Sequence, residues 1–299
     1  MSKLLSDTAR NRQIGIALVT ATTVMFAVLD TSAKWLVQTL PVLQVVWLRF
    51  LVHTVLTTVM FTPSMGMRLF VVSNPRLQLL RGVMLAVMTA LNFFALQYLQ
   101  LAETGAVQFS VPILIALISA WLLGERLDTK RWVAIGIGFL GVLIIIRPGS
   151  HGFHPAIFLS ILNACLYAGF NLMTRRLVGS DNPVTTQLAS AAVATLLLAP
   201  FALWHWQSPD GWQTWLIVVA AGVSGGLGHM ASAMAHRYAT AAVLGPFLYQ
   251  QIIYMTLGGW LVFGQIPDSA VALGACIVIL SGLYLLWREF RKTDPLILE

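Results

Sequence analysis

The sequence predicts an all-α integral membrane protein with ten transmembrane helices, arranged as two inverted five-helix repeats. Two observations carry this prediction. Of the 299 residues, 58% are hydrophobic and only 10% are charged, and the mean hydropathy of +0.81 lies far outside the soluble range. In addition, the stretch from Ala95 to Asp128 recurs from Ala235 to Asp268 without a gap, at an offset of 140 residues (235 minus 95).

Ten apolar runs divide the chain at turn-forming residues. A spanning helix needs about 20 mostly apolar residues, and proline marks several of the breaks, as at Pro41, Pro63, Pro75, Pro183 and Pro267. The runs therefore predict one helix each. The predicted spans are 14–37, 43–61, 77–98, 102–122, 132–147, 156–176, 185–205, 212–235, 240–263 and 270–287.

The distribution of cations predicts the orientation in the membrane. With the N-terminus inside, all of the 18 Lys and Arg residues except Lys34, Arg49 and Arg147 fall on the cytoplasmic side. Arg81 is counted with the cytoplasmic group. Cytoplasmic loops carry such an excess, so both termini are expected in the cytoplasm. The net charge of +7 forms no continuous patch, and no nucleic-acid partner is expected.

Matched residues in the two copies indicate an internal duplication. They are Tyr98 with Tyr238, Gly105 with Gly245, Phe109 with Tyr249 and, further upstream, Gly82 with Gly222. We assign residues 1–150 to the first repeat and 151–299 to the second. Because each repeat has five helices, the second starts on the opposite side of the membrane, and the repeats are inverted. Inverted halves can exchange conformations, which is the basis of alternating access.

Four ionisable residues lie on the first two predicted helices: Asp30, Lys34, Arg49 and His53. Charges inside a bilayer are costly and need an explanation. One interpretation is structural, an ion pair of Asp30 with Arg49 or with Lys34. The other is functional: Asp30 accepts a substrate ammonium or a proton, and a cation receives a carboxylate. Asn171 takes the place of Asp30 in the second copy.

Further polar and aromatic residues occur deep within other spans. Any one of them is explained by a hydrogen bond between helices, yet together they suit a cavity for a small amphipathic solute. With Asp30, the candidate substrate-binding residues are Asn92, Gln108, Tyr167, Asn171, His229, Tyr249 and Gln250. The aromatic side chains are interpreted either as ordinary packing or as cavity walls.

Small residues and prolines mark the eighth, fourth and ninth helices. Gly222, Gly225, Gly226 and Gly228 indicate either close helix packing or a segment that bends during transport. Pro112 and Pro246 each remove a backbone hydrogen bond and can kink a helix.

No motif for enzyme chemistry is found. The sequence lacks a phosphate-binding Walker loop, His-Glu-x-x-His, Gly-x-Ser-x-Gly and Cys-x-x-Cys. We therefore expect no enzyme activity, no cofactor and no metal. The expected partners are the lipid bilayer and a small-molecule substrate. A monomer is expected, with a homodimer as the alternative.

The run Trp121-Leu-Leu-Gly124-Glu125-Arg126-Leu127, preceded by Ala95-Leu-Gln-Tyr98, resembles the EamA type of the drug/metabolite transporter (DMT) superfamily over nearly the whole chain. The second copy departs from that pattern, with Gln265 where Glu is usual. The resemblance implies metabolite export across the inner membrane. It also implies a central cavity lined by the first, third, fourth, sixth, eighth and ninth helices.

Within that superfamily, the branch that we expect is the bacterial amino-acid exporters, including the YddG-like carriers of aromatic amino acids. The predicted function is therefore export of amino acids, aromatic or otherwise apolar, by alternating access. Two alternatives stay open. One is export of other amphipathic metabolites or drugs, such as purines or quaternary ammonium compounds, and the other is a passive channel.

Overall fold

The computed structural model describes residues 8–111, 113–114, 117–118, 129–147, 153–177, 181–239 and 241–293. Every regular element in these ranges is helical. The helices are α1 (Ala9–Leu36), α2 (Val42–Met65) followed by a 3₁₀ turn (Gly66–Phe70), α3 (Pro75–Leu96), α4 (Leu101–Gln108), α5 (Thr129–Ile146), α6 (Ile157–Leu177), α7 (Pro183–Trp204), α8 (Gly211–Tyr238), α9 (Ala241–Leu248), α10 (Gln250–Phe263) and α11 (Ser269–Thr293).

Each predicted span overlaps at least one of these helices. Five segments of the described chain are long and apolar enough to cross a membrane: α1, Val42–Phe70, α3, α7 and α8. Shorter apolar helices of the same kind are Trp132–Ile146, Ile157–Asn171 and Ser269–Leu285. The fold is thus that of an all-α membrane protein.

Two predicted spans are interrupted, each within three residues of a proline that the sequence marked as a possible kink. α4 ends at Gln108, and a turn at Phe109 and Ser110 follows. The ninth span divides at Tyr249 into α9 and α10. Proline at 112 has no N–H to donate to the carbonyl of Gln108, which explains the first break. Pro112, the predicted kink residue, itself lies outside the described residues, as does the Trp121–Leu127 run.

Helix packing is mirrored between the two halves. α1 and α2 of the first repeat both pack against α8 of the second. In the same way, α6 and α7 of the second repeat both pack against α3 of the first. α5 contacts α11, and α2 contacts α7, so each of these helices also meets its own counterpart. Such paired contacts are those of two inverted repeats around a pseudo-twofold axis.

Glycine packing shows the same symmetry at the level of single residues. A Cβ added at Gly82 would lie 2.5 Å from the Cβ of Val193, and one added at Gly222 would collide with Val52. Gly82 and Gly222 are 140 residues apart, and Val52 and Val193 are 141 apart. The α3–α7 and α8–α2 contacts therefore use equivalent residues, and a glycine sits at the closest point of each.

The glycine face of α8 receives side chains from α1 and α2. Gly225 lies against the guanidinium of Arg49, Gly226 against the ring of His53, and Gly228 against the ring of Phe26. Close packing is therefore what these glycines provide in this conformation. They also bring three side chains of the first repeat directly onto the second.

A loop contact joins the two repeats at Asp181. Its carboxylate accepts hydrogen bonds from the Ser73 backbone N–H at 2.7 Å and from Gln78 Nε2 at 2.9 Å. Partial burial opposes ionisation, but these hydrogen bonds outweigh it and lower the pKa of the Asp181 carboxyl. The loop between α2 and α3 is thereby tied to the loop between α6 and α7.

Candidate functional site

The candidate site lies where α1 and α2 meet the glycine face of α8. Asp30 on α1 is 8% exposed, and its carboxylate accepts a hydrogen bond from Asn92 Nδ2 on α3 at 2.9 Å. Arg49 on α2 is 2% exposed. Asp30 is therefore buried between α1 and α3 of the first repeat, and Arg49 is buried between α2 of the first repeat and α8 of the second.

Neither predicted ion pair forms. Among the described residues, which include all three of these, no carboxylate lies within 4.0 Å of Arg49 or Lys34. In this structure Asp30 therefore makes no direct ion pair with either cation, although it and Arg49 are close enough to attract each other electrostatically. Lys34 is bound by other groups, and the direct partner of Asp30 is a neutral amide.

Lys34 is bound at the end of α3. Its Nζ donates to the carbonyl of Leu96 at 2.9 Å and to the carbonyl of Leu99 at 2.6 Å, and it lies 5.5 Å from the centroid of the Phe263 ring. A cation at the C-terminus of a helix satisfies free carbonyls and interacts favourably with the helix dipole. This geometry gives Lys34 a local packing role that needs no substrate.

Arg49 has few hydrogen-bond acceptors among the described residues. Its Nη2 lies 3.5 Å from His229 Nε2, at the limit of a hydrogen bond, and its Cζ lies 4.1 Å from the centroid of the Phe50 ring. In the described part of the chain, its Nε and Nη1 have no partner. A guanidinium carries five N–H donors, so most of its capacity is unused.

Two histidines complete this cluster. His53 is 1% exposed, and its ring is parallel to that of His229 at a centroid distance of 6.1 Å. His229 also meets Phe26 edge to face at 5.0 Å. The Nδ1 of His53 finds no partner among the described residues. We call Arg49, His53 and His229 the donor cluster.

A cavity leads to the donor cluster. Its volume is about 210 Å³, and its lining includes His53, Gln187, Gly226, Met230 and Arg237. These residues come from α2, α7 and α8, so both repeats line it. His53 is therefore reachable through a space between the halves, although the side chain itself is almost fully covered.

The remaining candidate residues form separate groups. Asn163 Nδ2 donates to Gln108 Oε1 at 3.1 Å, next to Phe109, whose ring lies 5.0 Å from that of Tyr249. This group joins α4 and α6 to the break between α9 and α10. The repeat-related aromatic residues thus meet each other at the two helix interruptions.

Three candidates have partners on their own helix. Asn171 Nδ2 donates to the Tyr167 carbonyl at 2.7 Å, and Tyr167 stacks on Phe170 with ring centroids 6.2 Å apart. The Gln250 amide oxygen accepts from Tyr254 Oη at 3.4 Å. The sequence placed all these residues in one set, but the structure divides them into separate groups: Asp30 with Asn92, His229 with Arg49 and His53, Tyr167 with Asn171, and Gln108 near Tyr249.

From the sequence, Arg81 was counted with the cytoplasmic cations and was not singled out as a buried residue. It is 2% exposed and lies between α3, α6 and α7. It donates to Thr174 Oγ1 at 3.1 Å, to the Thr186 carbonyl at 3.2 Å and to Ser190 Oγ at 2.5 Å. The signal was present in the sequence, because residue 81 falls inside the predicted span 77–98.

Mirrored helix packing around buried, unpaired charges defines a membrane protein of the two-repeat transporter class. The sequence matches the EamA-like transporter family over residues 13–147 and again over 154–287. The chain belongs to this family, which is part of the drug/metabolite transporter superfamily.

Curated relatives carry several names. The chain is 34% identical to a riboflavin transporter of Vibrio cholerae over 192 residues, which cover 63% of each protein. It is 24% identical to an S-adenosylmethionine uptake transporter of Rickettsia felis, over 95% of this chain and 96% of that protein. It is 26% identical to a pseudopaline exporter of Pseudomonas aeruginosa, over 89% and 94%.

One crystal structure superposes with a TM-score of 0.61 at 22% identity, covering 96% of this chain and all of that one. At this identity the likeness shows the fold alone. The relatives support a small-molecule transporter and not an enzyme. They do not confirm an amino-acid exporter, and their names include both uptake and export.

Proposed function

We propose that this protein is a secondary transporter that moves a small aromatic or heteroaromatic metabolite across the inner membrane by alternating access. Residues 1–150 and 151–299 are the two alternating halves, and both termini lie in the cytoplasm. One chain supplies both halves of the site, so the proposed functional unit is a monomer.

One observation carries this proposal: Asp30 and Arg49 are both buried without a direct ion pair between them, and Arg49 lies against α8 of the second repeat. An ionisable residue within a membrane is costly and marks a functional site by default. Asp30 can accept hydrogen bonds from a substrate, and Arg49 can donate them. A substrate that carries both donors and acceptors satisfies the two residues at once.

A flavin is the first candidate substrate. Support comes from the 34% identity to a riboflavin transporter. The flavin ring is flat and has N–H and carbonyl groups along one edge, which suits Asp30 and Arg49. Phe26 and His229, with ring centroids 5.0 Å apart, offer edges and faces for such a ring.

An aromatic amino acid is the second candidate, as the sequence argument predicted. The observation that favours it is the separation of the two charges, because a zwitterion places its ammonium on Asp30 and its carboxylate on Arg49. In both cases Asn92 positions Asp30, and His229 positions Arg49. Tyr167, Asn171, Tyr249 and Gln250 are proposed to line the path on the side of the second repeat, and Gln108 on the side of the first.

Counterflow in proteoliposomes tests this proposal. Vesicles with purified protein are preloaded with unlabelled riboflavin, phenylalanine or S-adenosylmethionine, and uptake of the labelled compound is followed. A carrier gives saturable, transient accumulation that requires the preloaded compound. Conductance without exchange would instead show a channel, and no flux of any of the three would contradict the substrate class.

A further inference from the structure

Arg49 and Arg81 offer an internal comparison. Val52 in the α2–α8 contact and Val193 in the α7–α3 contact occupy equivalent positions. Arg49 lies three residues before Val52, and Ser190 lies three residues before Val193, so Arg49 and Ser190 are equivalent. Ser190 accepts a hydrogen bond from Arg81. Each of the two symmetric contacts therefore holds one buried arginine. In the α2–α8 contact it is Arg49 on α2, and in the α7–α3 contact it is Arg81 on α3, the counterpart of α8.

The two arginines differ in their acceptors. Both are 2% exposed, but Arg81 donates to three oxygen atoms. Arg49 meets only a histidine nitrogen at 3.5 Å and the face of a phenyl ring. Burial of arginine in this kind of contact thus does not by itself leave the guanidinium unpaired. The α2–α8 contact lacks oxygen acceptors that the α3–α7 contact provides.

The glycines of α8 maintain this arrangement. A Cβ at Gly225 would lie 3.1 Å from Arg49 Nε, and one at Gly226 would lie 3.0 Å from His53 Cδ2. Both distances are tighter than ordinary van der Waals contact. Larger residues here would displace the guanidinium and the imidazole, so α8 keeps these two rigid groups in place beside the cavity that His53 and Gly226 line.

We infer that Arg49 and His53 form a subsite for a ligand group with two oxygen acceptors, either a carboxylate or the two carbonyls of a ring dione. A planar guanidinium donates two parallel hydrogen bonds to a carboxylate. The two carbonyls of a ring dione flank an N–H and lie too far apart for one guanidinium, so Arg49 would donate to one of them and His53 to the other. Unpaired buried donors gain most from an acceptor, since leaving them unpaired is costly. This inference deepens the proposed function, because the oxygen pair belongs to the transported solute.

Binding of small probes tests the subsite without requiring transport. The full-length protein in detergent is titrated with benzoate, which supplies a carboxylate, with thymine, which supplies a ring dione, and with benzyl alcohol, which has neither. The change in melting temperature gives the dissociation constant. Arg49→Gln removes the cation, Arg49→Lys keeps the charge without the paired donors, and Arg81→Lys is the matched control.

We expect benzoate or thymine to stabilise the wild type, and the probe that binds identifies which oxygen pair the subsite takes. The dissociation constant should rise about tenfold or more in both Arg49 variants, and should change less than about twofold in Arg81→Lys. Binding of neither probe to the wild type, equal binding to Arg49→Gln, or equal binding of benzyl alcohol would overturn the inference. Probe binding without counterflow would leave the subsite standing and contradict the proposed function.

Discussion

Replacement of Asp30 by asparagine separates the structural and functional interpretations of the buried charges. Asp30→Asn keeps the volume and an acceptor oxygen, and removes one negative charge. The second repeat has Asn171 at the equivalent position, so the helix tolerates an amide there. In the structure, the partner of Asp30 is Asn92, a neutral amide at 2.9 Å.

The stability effect follows from that single hydrogen bond. A hydrogen bond to a charged group contributes about 1.5–3 kcal/mol and a neutral one about 0.5–1.5 kcal/mol, so the substitution costs roughly 1 kcal/mol. Relief from burying a charge offsets part of this cost. Loss of one partner of a buried ion pair would cost about 3–5 kcal/mol. The two interpretations therefore differ severalfold in the expected destabilisation.

Melting temperature and counterflow are measured on the same preparation. We expect the melting temperature of Asp30→Asn to stay within about 4 °C of the wild type. The substrate affinity should fall about tenfold or more, because a charge-assisted hydrogen bond to the solute is lost. Asn92→Ala is the companion variant, and it should weaken transport less because the carboxylate remains.

A different pair of results would refute this reasoning. If Asp30→Asn lost roughly 10 °C or more of melting temperature, and a second substitution, Arg49→Gln, restored both stability and transport, the two residues would be a structural ion pair. Asp30 would then not be a substrate site. The proposed function predicts instead that the double variant stays inactive, because both ends of the site are gone.

Arg81→Gln should destabilise the protein by about 3 kcal/mol, because three hydrogen bonds to oxygen are lost; an unchanged melting temperature would contradict this. Gly82→Ala should cost about 1–3 kcal/mol through overpacking against Val193, and the second substitution Val193→Ala should recover most of it. The Asp268 carboxylate accepts hydrogen bonds from the Val271 N–H and from Arg147, and these lower its pKa below the usual 3.8. The stability that Asp268 contributes should thus be present above pH 3.8 and lost as the pH falls through its folded-state pKa, and Asp268→Asn should show no such contribution.

The helical architecture was predictable because it depends on local composition. Spans of about 20 apolar residues must be helical in a bilayer, where backbone groups need partners within the segment. The glycine at position 82 and its repeat partner at 222 were also recognised from the sequence. Their function was not, because the opposing residues Val193 and Val52 are far away in the chain and carry no motif.

The site was only partly predictable. The sequence identified Asp30, Arg49 and His53 as unusual residues for a membrane helix, because burying an ionisable group in a bilayer is costly. It could not assign partners, because hydrogen bonds such as those of Lys34 to the end of α3 depend on tertiary packing. The burial of Arg81 was missed because charge counting treats every cation near the end of a span as a loop residue.

The symmetry of the packing and the asymmetry of the charges have different consequences for transport. In the proposed mechanism, the equivalent glycine–valine contacts let the two repeats exchange conformations. The counterpart of Asp30 is Asn171 and the counterpart of Arg49 is Ser190, so the polar residues do not repeat. A solute bound between Asp30 and Arg49 therefore has one preferred orientation in both conformations. Because the same groups hold it in each state, the solute gradient, and not the site, would set the direction of net movement.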